Sequence, residues 1–224
     1  MSRRYDAVLF DLDGTLIDST ELIVETYRYT LRELAGCEPS RDDVISGFGT
    51  PLIENLRRLR PDPTLVPRMM DVYSEYNERR HDELVTPFPS AVEAVHALRA
   101  AGLGLAIVTG KRRRYALMGL RFAEIEAAFD VVITPESTER GKPHPDPVEA
   151  ALRALDIAPT RALLVGDSPH DVVAARAAGV HAAAALWGPF TRSALEAANP
   201  DYWLEAGSEV LELVDATGTA KASA

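Results

Sequence analysis

The sequence predicts an α/β fold, a doubly wound parallel sheet with a helical insert after its first strand. Three observations carry that prediction. Short apolar runs, too apolar to be half exposed, recur at Ala7–Phe10, Leu103–Val108, Val131–Ile133, Ala162–Val165 and Ala182–Leu186. Helical patterns such as Ser90–Ala101 and Asp146–Leu155 lie between them, and strand–helix alternation implies a parallel sheet covered on both faces, a Rossmann-like arrangement. Between Thr20 and Val85 the alternation stops, and apolar residues recur at helical spacing.

Taken in order, Ala7–Phe10 is the first buried strand. The following stretch carries Leu22, Val24, Tyr27, Leu31 and Leu34, then Leu52, Leu56 and Leu59, with Pro61, Pro63 and Pro67 dividing it into short helices. It returns to the sheet through Thr86-Pro87-Phe88-Pro89. Ser90 and Glu93 have the spacing of a capping box, and Gly102 stops that helix. The expected division is residues 1–17 and 86–216 for the Rossmann-like core, 18–85 for the helical insert, and 217–224 for a disordered tail.

The 224 residues are 46% hydrophobic and 26% charged, an ordinary globular composition that allows one sizeable domain and a smaller insert. A formal net charge of −10 argues against nucleic-acid or anionic-membrane partners. An anionic substrate therefore has to be drawn in by local positive groups. Cys37 is the only cysteine, so no intrachain disulfide is possible. The apolar stretch after the basic start is too short for a signal-peptide core, and nothing approaches transmembrane length; a soluble, cytoplasmic protein is expected.

Four segments carry chemistry. Asp11 and Asp13 follow the first strand, and strand alternation sends both to one side of the backbone, where like charges repel unless a divalent cation or a phosphoryl group held by one intervenes. Thr109-Gly110 ends the second run; its hydroxyl and backbone N–H groups suit an anion, although Thr-Gly after a strand also serves as a cap and turn. Lys111 and Arg112–Arg114 read as a solvated helix face. The stiff loop Gly141-Lys142-Pro143-His144-Pro145 presents one lysine, a point charge for phosphate oxygen or an incidental surface residue. Asp167 and Asp171 follow the fourth run; adjacent parallel strands about 4.8 Å apart let these carboxylates share a cation with those of the first, and Asp171 is alternatively a helix cap. Magnesium suits such hard oxygen ligands.

In order and approximate spacing, these segments resemble the four motifs of the haloacid-dehalogenase-type phosphotransferases, and the insert resembles the family's small helical cap. The resemblance implies a Mg2+-dependent phosphatase acting on small phosphorylated metabolites, phosphoglycolate-like or pyrophosphate-like, through an aspartyl-phosphate. Asp11 would be the nucleophile and Asp13 the acid and base. Thr109, Gly110 and Lys142 would hold phosphate; Asp11, the Asp13 carbonyl and Asp167 would hold the metal, with Asp171 in support. Ser46–Leu52 resembles the substrate-facing loop of the phosphoglycolate-phosphatase and pyrophosphatase-like branch; Arg57, Arg58 and Glu21 are further cap candidates. Asp13 separates phosphoryl transfer from dehalogenation, and the absence of lysine from Thr20–Val85 argues against phosphonate cleavage. Sugar-phosphate mutases of this superfamily often carry an apolar residue where Thr15 stands. A mutase and a catalytically silent binding module are the alternatives, and the chain is expected as a monomer or homodimer.

Overall fold

The computed structural model describes residues 3–59 and 62–215; Pro61 and the tail 217–224 lie outside them. The chain forms β1 (Ala7–Phe10), β2 (Ile17–Asp18), α1 (Thr20–Ala35), α2 (Arg41–Ile45), α3 (Leu52–Leu59), α4 (Val66–Leu84), β3 (Thr86–Pro87) and α5 (Pro89–Ala100). It continues through β4 (Gly104–Val108), α6 (Arg113–Phe122), β5 (Val131–Ile133), α7 (Asp146–Leu155), β6 (Ala162–Gly166), α8 (Pro169–Ala177), β7 (His181–Ala185), α9 (Arg192–Glu196), β8 (Tyr202–Leu204) and α10 (Val210–Val214).

Six strands form one parallel sheet in the order β5-β4-β1-β6-β7-β8. The chain runs outward from β1 through β4 to β5, then returns to β6 on the other side of β1. The reversal places the switch point, where α/β sheets open a crevice, between β1 and β6. Side chains of β1 alternate between two cores: Val8 and Phe10 pack with Val95 and Leu98 of α5 and Leu120 of α6, while Ala7 and Leu9 pack with Val148 and Leu152 of α7 and Val172 of α8. Helices on both faces explain why every strand run was read as fully apolar.

Helices α1 to α4 surround a separate cluster of Val24, Tyr27, Leu31, Val44, Leu56, Met69 and Tyr73. They leave and rejoin the sheet through a two-stranded antiparallel pair, β2 with β3, which the sequence reading missed because each strand has only two residues. Two helices here are long, 16 residues in α1 and 19 in α4, contrary to the expected short ones. Pro67 sits in the first turn of α4, where the missing N–H costs nothing, so it opens a helix instead of dividing one.

The expected Ser90–Glu93 capping box does not form. Pro89 already occupies the first turn of α5, and the Ser90 hydroxyl accepts the Gly207 N–H (3.2 Å). Gly102 follows that helix with φ +77°, as its stopping role requires. No helix of the described residues is long and apolar enough to cross a membrane.

Candidate active site

The C-terminal ends of β1 and β6 put Asp11 and Asp167 side by side, and the first turn of α8 adds Asp171. One carboxylate oxygen from each lies within 4.8 Å of the others, and all three residues are buried. Asp171 is satisfied by its surroundings. Its Oδ2 accepts the Ser168 N–H (3.1 Å) and hydroxyl (2.5 Å), and its Oδ1 accepts the Lys142 ammonium at 2.5 Å. The helix-cap reading of Asp171 is realised, because the residue completes a capping box with Ser168, and it also holds Lys142.

Lys142 is only 4% exposed. The stiff loop carries its ammonium to Val108 O (2.8 Å) and to within 2.9 Å of Asp11 Oδ1. The contact with Asp11 is an ion pair without hydrogen-bond angles, so Asp11 Oδ1 remains a buried oxygen with no hydrogen-bond partner. Burial, reinforced by the negative charge of Asp171, pushes the Asp11 carboxyl up to about 7 although Lys142 pulls the other way. Burial and the charges of Asp11 and Asp171 also raise Asp167 well above the carboxylate range, while Thr15 donates a hydrogen bond to its Oδ1 (2.9 Å). Three carboxylates thus share one ammonium. With all three ionised the deficit is two charges, and that deficit and the all-oxygen donor set fit a hard divalent cation.

Asp13 lies one turn further on. Its Oδ1 accepts the Ser19 hydroxyl (2.5 Å) and the Lys111 ammonium (2.6 Å). Lys111 is thus a buried ion-pair partner with 9% side-chain exposure, contrary to the expected solvated helix face. Helix α6 starts only at Arg113, which leaves Lys111 in a turn whose N–H is held by Thr109 Oγ1 (3.1 Å) and frees its side chain to point inward. Arg112 to Arg114 are exposed, as expected.

Asp11, Asp13, Thr109, Gly110, Lys111 and Asp167 line one cavity beneath the helical insert. From above, the loop Gly47–Thr50 closes against it. A side chain at Gly110 would come within 2.8 Å of Gly49 O, so the two backbones touch only because residue 110 has none. Tyr27, Asn55, Tyr73 and Asn77 complete the roof.

A family model described as haloacid dehalogenase-like hydrolase matches residues 8–185. The chain belongs to that family. It is 39% identical over 211 residues to pyrophosphatase PpaX of Bacillus cereus, covering 94% of this chain and 97% of that one. Among solved structures, a haloacid dehalogenase-like family hydrolase from Streptococcus pneumoniae matches with a TM-score of 0.81 and 28% identity, over 93% of this chain and 97% of that one. A candidate beta-phosphoglucomutase from Thermotoga maritima matches with a TM-score of 0.73 and 26% identity, over 93% and 97%.

In this haloacid dehalogenase-like hydrolase the structure gathers Asp11, Asp13, Thr109, Gly110, Lys142, Asp167 and Asp171 at one end of the sheet. It does not bring the cap candidates there. Glu21 pairs with Arg41, Arg57 is exposed, and Arg58 bonds Asn55 Oδ1 and the Asp43 carbonyl, none of them lining the cavity. Sequence reasoning missed Ser19, Lys111 and the hydrogen bond from Thr15. The signal for Ser19 was its place just after the Asp-rich turn, where a hydroxyl reaches back six residues.

Proposed function

We propose that the protein is a Mg2+-dependent phosphatase that hydrolyses small phosphorylated metabolites, phosphoglycolate-like or pyrophosphate-like, through an aspartyl-phosphate on Asp11. The observation that carries this reading is the buried Asp11 carboxylate, with one oxygen free of hydrogen bonds, at the floor of a cavity it shares with Asp13, Thr109 and Gly110. The pyrophosphatase relative in Bacillus cereus points the same way. The helical insert, residues 18–85, acts as the cap over the core, residues 1–17 and 86–216.

Asp11 and Asp167 would hold Mg2+ together with the Asp13 carbonyl, and the bound cation supplies charge neutralisation between carboxylate and phosphate. A carboxylate oxygen of Asp11 attacks phosphorus as the bond to the leaving oxygen breaks, and Asp13 delivers a proton to that oxygen. In the second half Asp13 takes a proton from water, which attacks the phosphoryl group and returns Asp11 and inorganic phosphate. Ser19 fixes Asp13 for both transfers. Thr109, the Gly110 N–H and Lys142 carry charge on the phosphoryl oxygens, and Asp171 holds Lys142 in place. The closed cap loop keeps bulk water from the intermediate.

A mutase is the second reading, favoured by the resemblance to the Thermotoga maritima structure. Phosphate release is to be measured with Mg2+ from phosphoglycolate, pyrophosphate, sugar phosphates and nucleotides. Release that disappears in Asp11→Asn and with chelator is expected. Isomerised sugar phosphate with little free phosphate would replace the phosphatase with the mutase. No turnover of either kind would leave a binding module.

A further inference from the structure

We propose that Lys111 and Asn77 form a leaving-group subsite selective for a compact, negatively charged leaving group, a carboxylate or a second phosphate. This inference deepens the phosphatase reading and rests on it.

The two side chains reach one cavity from opposite sides, Lys111 from the loop after β4 and Asn77 from α4 of the insert. Asn77 is 3% exposed, and its side-chain oxygen has no hydrogen-bond partner. A buried amide oxygen without a partner is costly, and Asn77 also lines the cavity. The amide presents N–H on one side and oxygen on the other, so rotation about its last bond offers donors to an anion. Tyr73 stands beside it; burial and the nearby Tyr27 and Asp13 keep its phenol neutral and therefore a donor.

Lys111 supplies the charge. Its ammonium pairs with Asp13 Oδ1, an oxygen that Ser19 also bonds. Asp13 therefore keeps an anchor when Lys111 turns toward the cavity. The other buried lysine, Lys142, is committed to Asp171, Asp11 and Val108 O at the phosphoryl end. On the Asp13 side, which faces the leaving oxygen, Lys111 is the buried cation among the described cavity residues. A leaving group with a neutral hydroxyl would hydrogen-bond Asn77 but offer Lys111 no counter-charge. An anionic one gives each of them an ionic or charge-assisted bond.

The test compares kcat/KM for 2-phosphoglycolate with that for 2-hydroxyethyl phosphate, which has the same length but lacks the leaving-group charge. The wild type should prefer the anionic ester. Lys111→Met should lower the ratio of the two values by about 10- to 100-fold, the worth of one charge-assisted bond. Loss of Asp13 positioning alone would reduce both substrates together and leave the ratio unchanged, and that outcome overturns the proposal. Asn77→Asp, which sets a carboxylate against the incoming anion, should lower the same ratio and raise KM for the anionic ester; an unchanged ratio in this variant also overturns it. A wild type that releases phosphate from neither ester, nor from pyrophosphate, refutes the phosphatase reading and takes this inference with it.

Discussion

Replacing Lys142 with methionine should make the metal-free protein unstable in a pH-dependent way. Methionine keeps an unbranched apolar stem but removes the ammonium that contacts Asp11, Asp171 and Val108 O. Three buried carboxylates then stand within 4.8 Å of one another with no cation among them. Removing one partner of a buried pair costs about 3–5 kcal/mol. A proton sets the ceiling, because a carboxylate that cannot stay ionised takes one up. Protonating an ordinary carboxyl, with its pKa near 3.9, costs about 6 kcal/mol at pH 8 and about 3 kcal/mol at pH 6.

The wild type already leans this way. Asp11 titrates at 3.8 in the unfolded chain and at about 7 in the native protein, because burial outweighs Lys142. The native state holds that proton to higher pH than the unfolded state does. Its contribution to stability is therefore fully present below about pH 4 and is lost as pH rises through 7. In Lys142→Met the lost counter-charge pushes this window higher. At pH 8 in chelator, a deficit of about 3–5 kcal/mol corresponds to roughly 6–20 °C in melting temperature for a domain of this size. At pH 6 the deficit should shrink to about half. Scanning calorimetry of both proteins at the two pH values checks this. Equal melting temperatures at pH 8, or the same deficit at both, would refute the account of Lys142 as the counter-charge to these buried carboxylates.

Other consequences follow from the same cluster. Loading Mg2+ should displace protons from the raised carboxyls, so calorimetric heats at pH 6 should depend on buffer ionisation enthalpy; buffer-independent heats would contradict the raised Asp11. Gly14 adopts φ +83°, and a side chain there would lie 2.5 Å from Asp167 Oδ2. Gly14→Ala should therefore destabilise the fold by about 1–3 kcal/mol and weaken metal binding, seen in melting curves and Mg2+ titration. Thr15→Val keeps the shape but removes the bond to Asp167 Oδ1, and should weaken Mg2+ activation of phosphate release about tenfold or more. An unchanged Mg2+ dependence would show that Asp167 is oriented without it.

How much was legible depended on whether the signal was local. The five buried runs and the two carboxylate pairs are short-range patterns, and the sheet aligned them as parallel-strand spacing requires. Asp146–Leu155 was placed to the residue because Pro147 and the preceding proline loop fix its start. Ser90 failed because its hydroxyl bonds Gly207, more than a hundred residues away, a contact no local pattern encodes. Lys111 failed for a related reason. Its neighbours Arg112 to Arg114 are exposed, and a run of four basic residues reads as one solvated face. Only the turn before α6 separates the first of them from the rest and directs it to Asp13. The orphaned Asn77 amide was equally hidden, since an asparagine on a polar helix carries no sign that its side chain will be buried.

The charge balance fixes the order in which the site can fill. Lys142 is shared among carboxylates and Lys111 is paired with Asp13, so an incoming anion has to compete with a carboxylate for either ammonium. Without a cation, the carboxyl groups of Asp11, Asp13, Asp167 and Asp171 outnumber the two lysines, and the chain as a whole carries −10. A phosphate dianion approaching this site meets repulsion at short range and at long range. Two positive charges at Asp11 and Asp167 cancel the local excess. Anion binding should therefore be strongly Mg2+-dependent rather than merely assisted by it. Two charges about 4 Å apart interact by about 4 kcal/mol at an effective dielectric constant of 20, enough for a change in affinity of roughly a thousandfold. Inorganic phosphate titrated by calorimetry should bind with Mg2+ and show no measurable heat in chelator. Comparable affinity in both conditions would mean that the lysines are freer than their ion pairs imply.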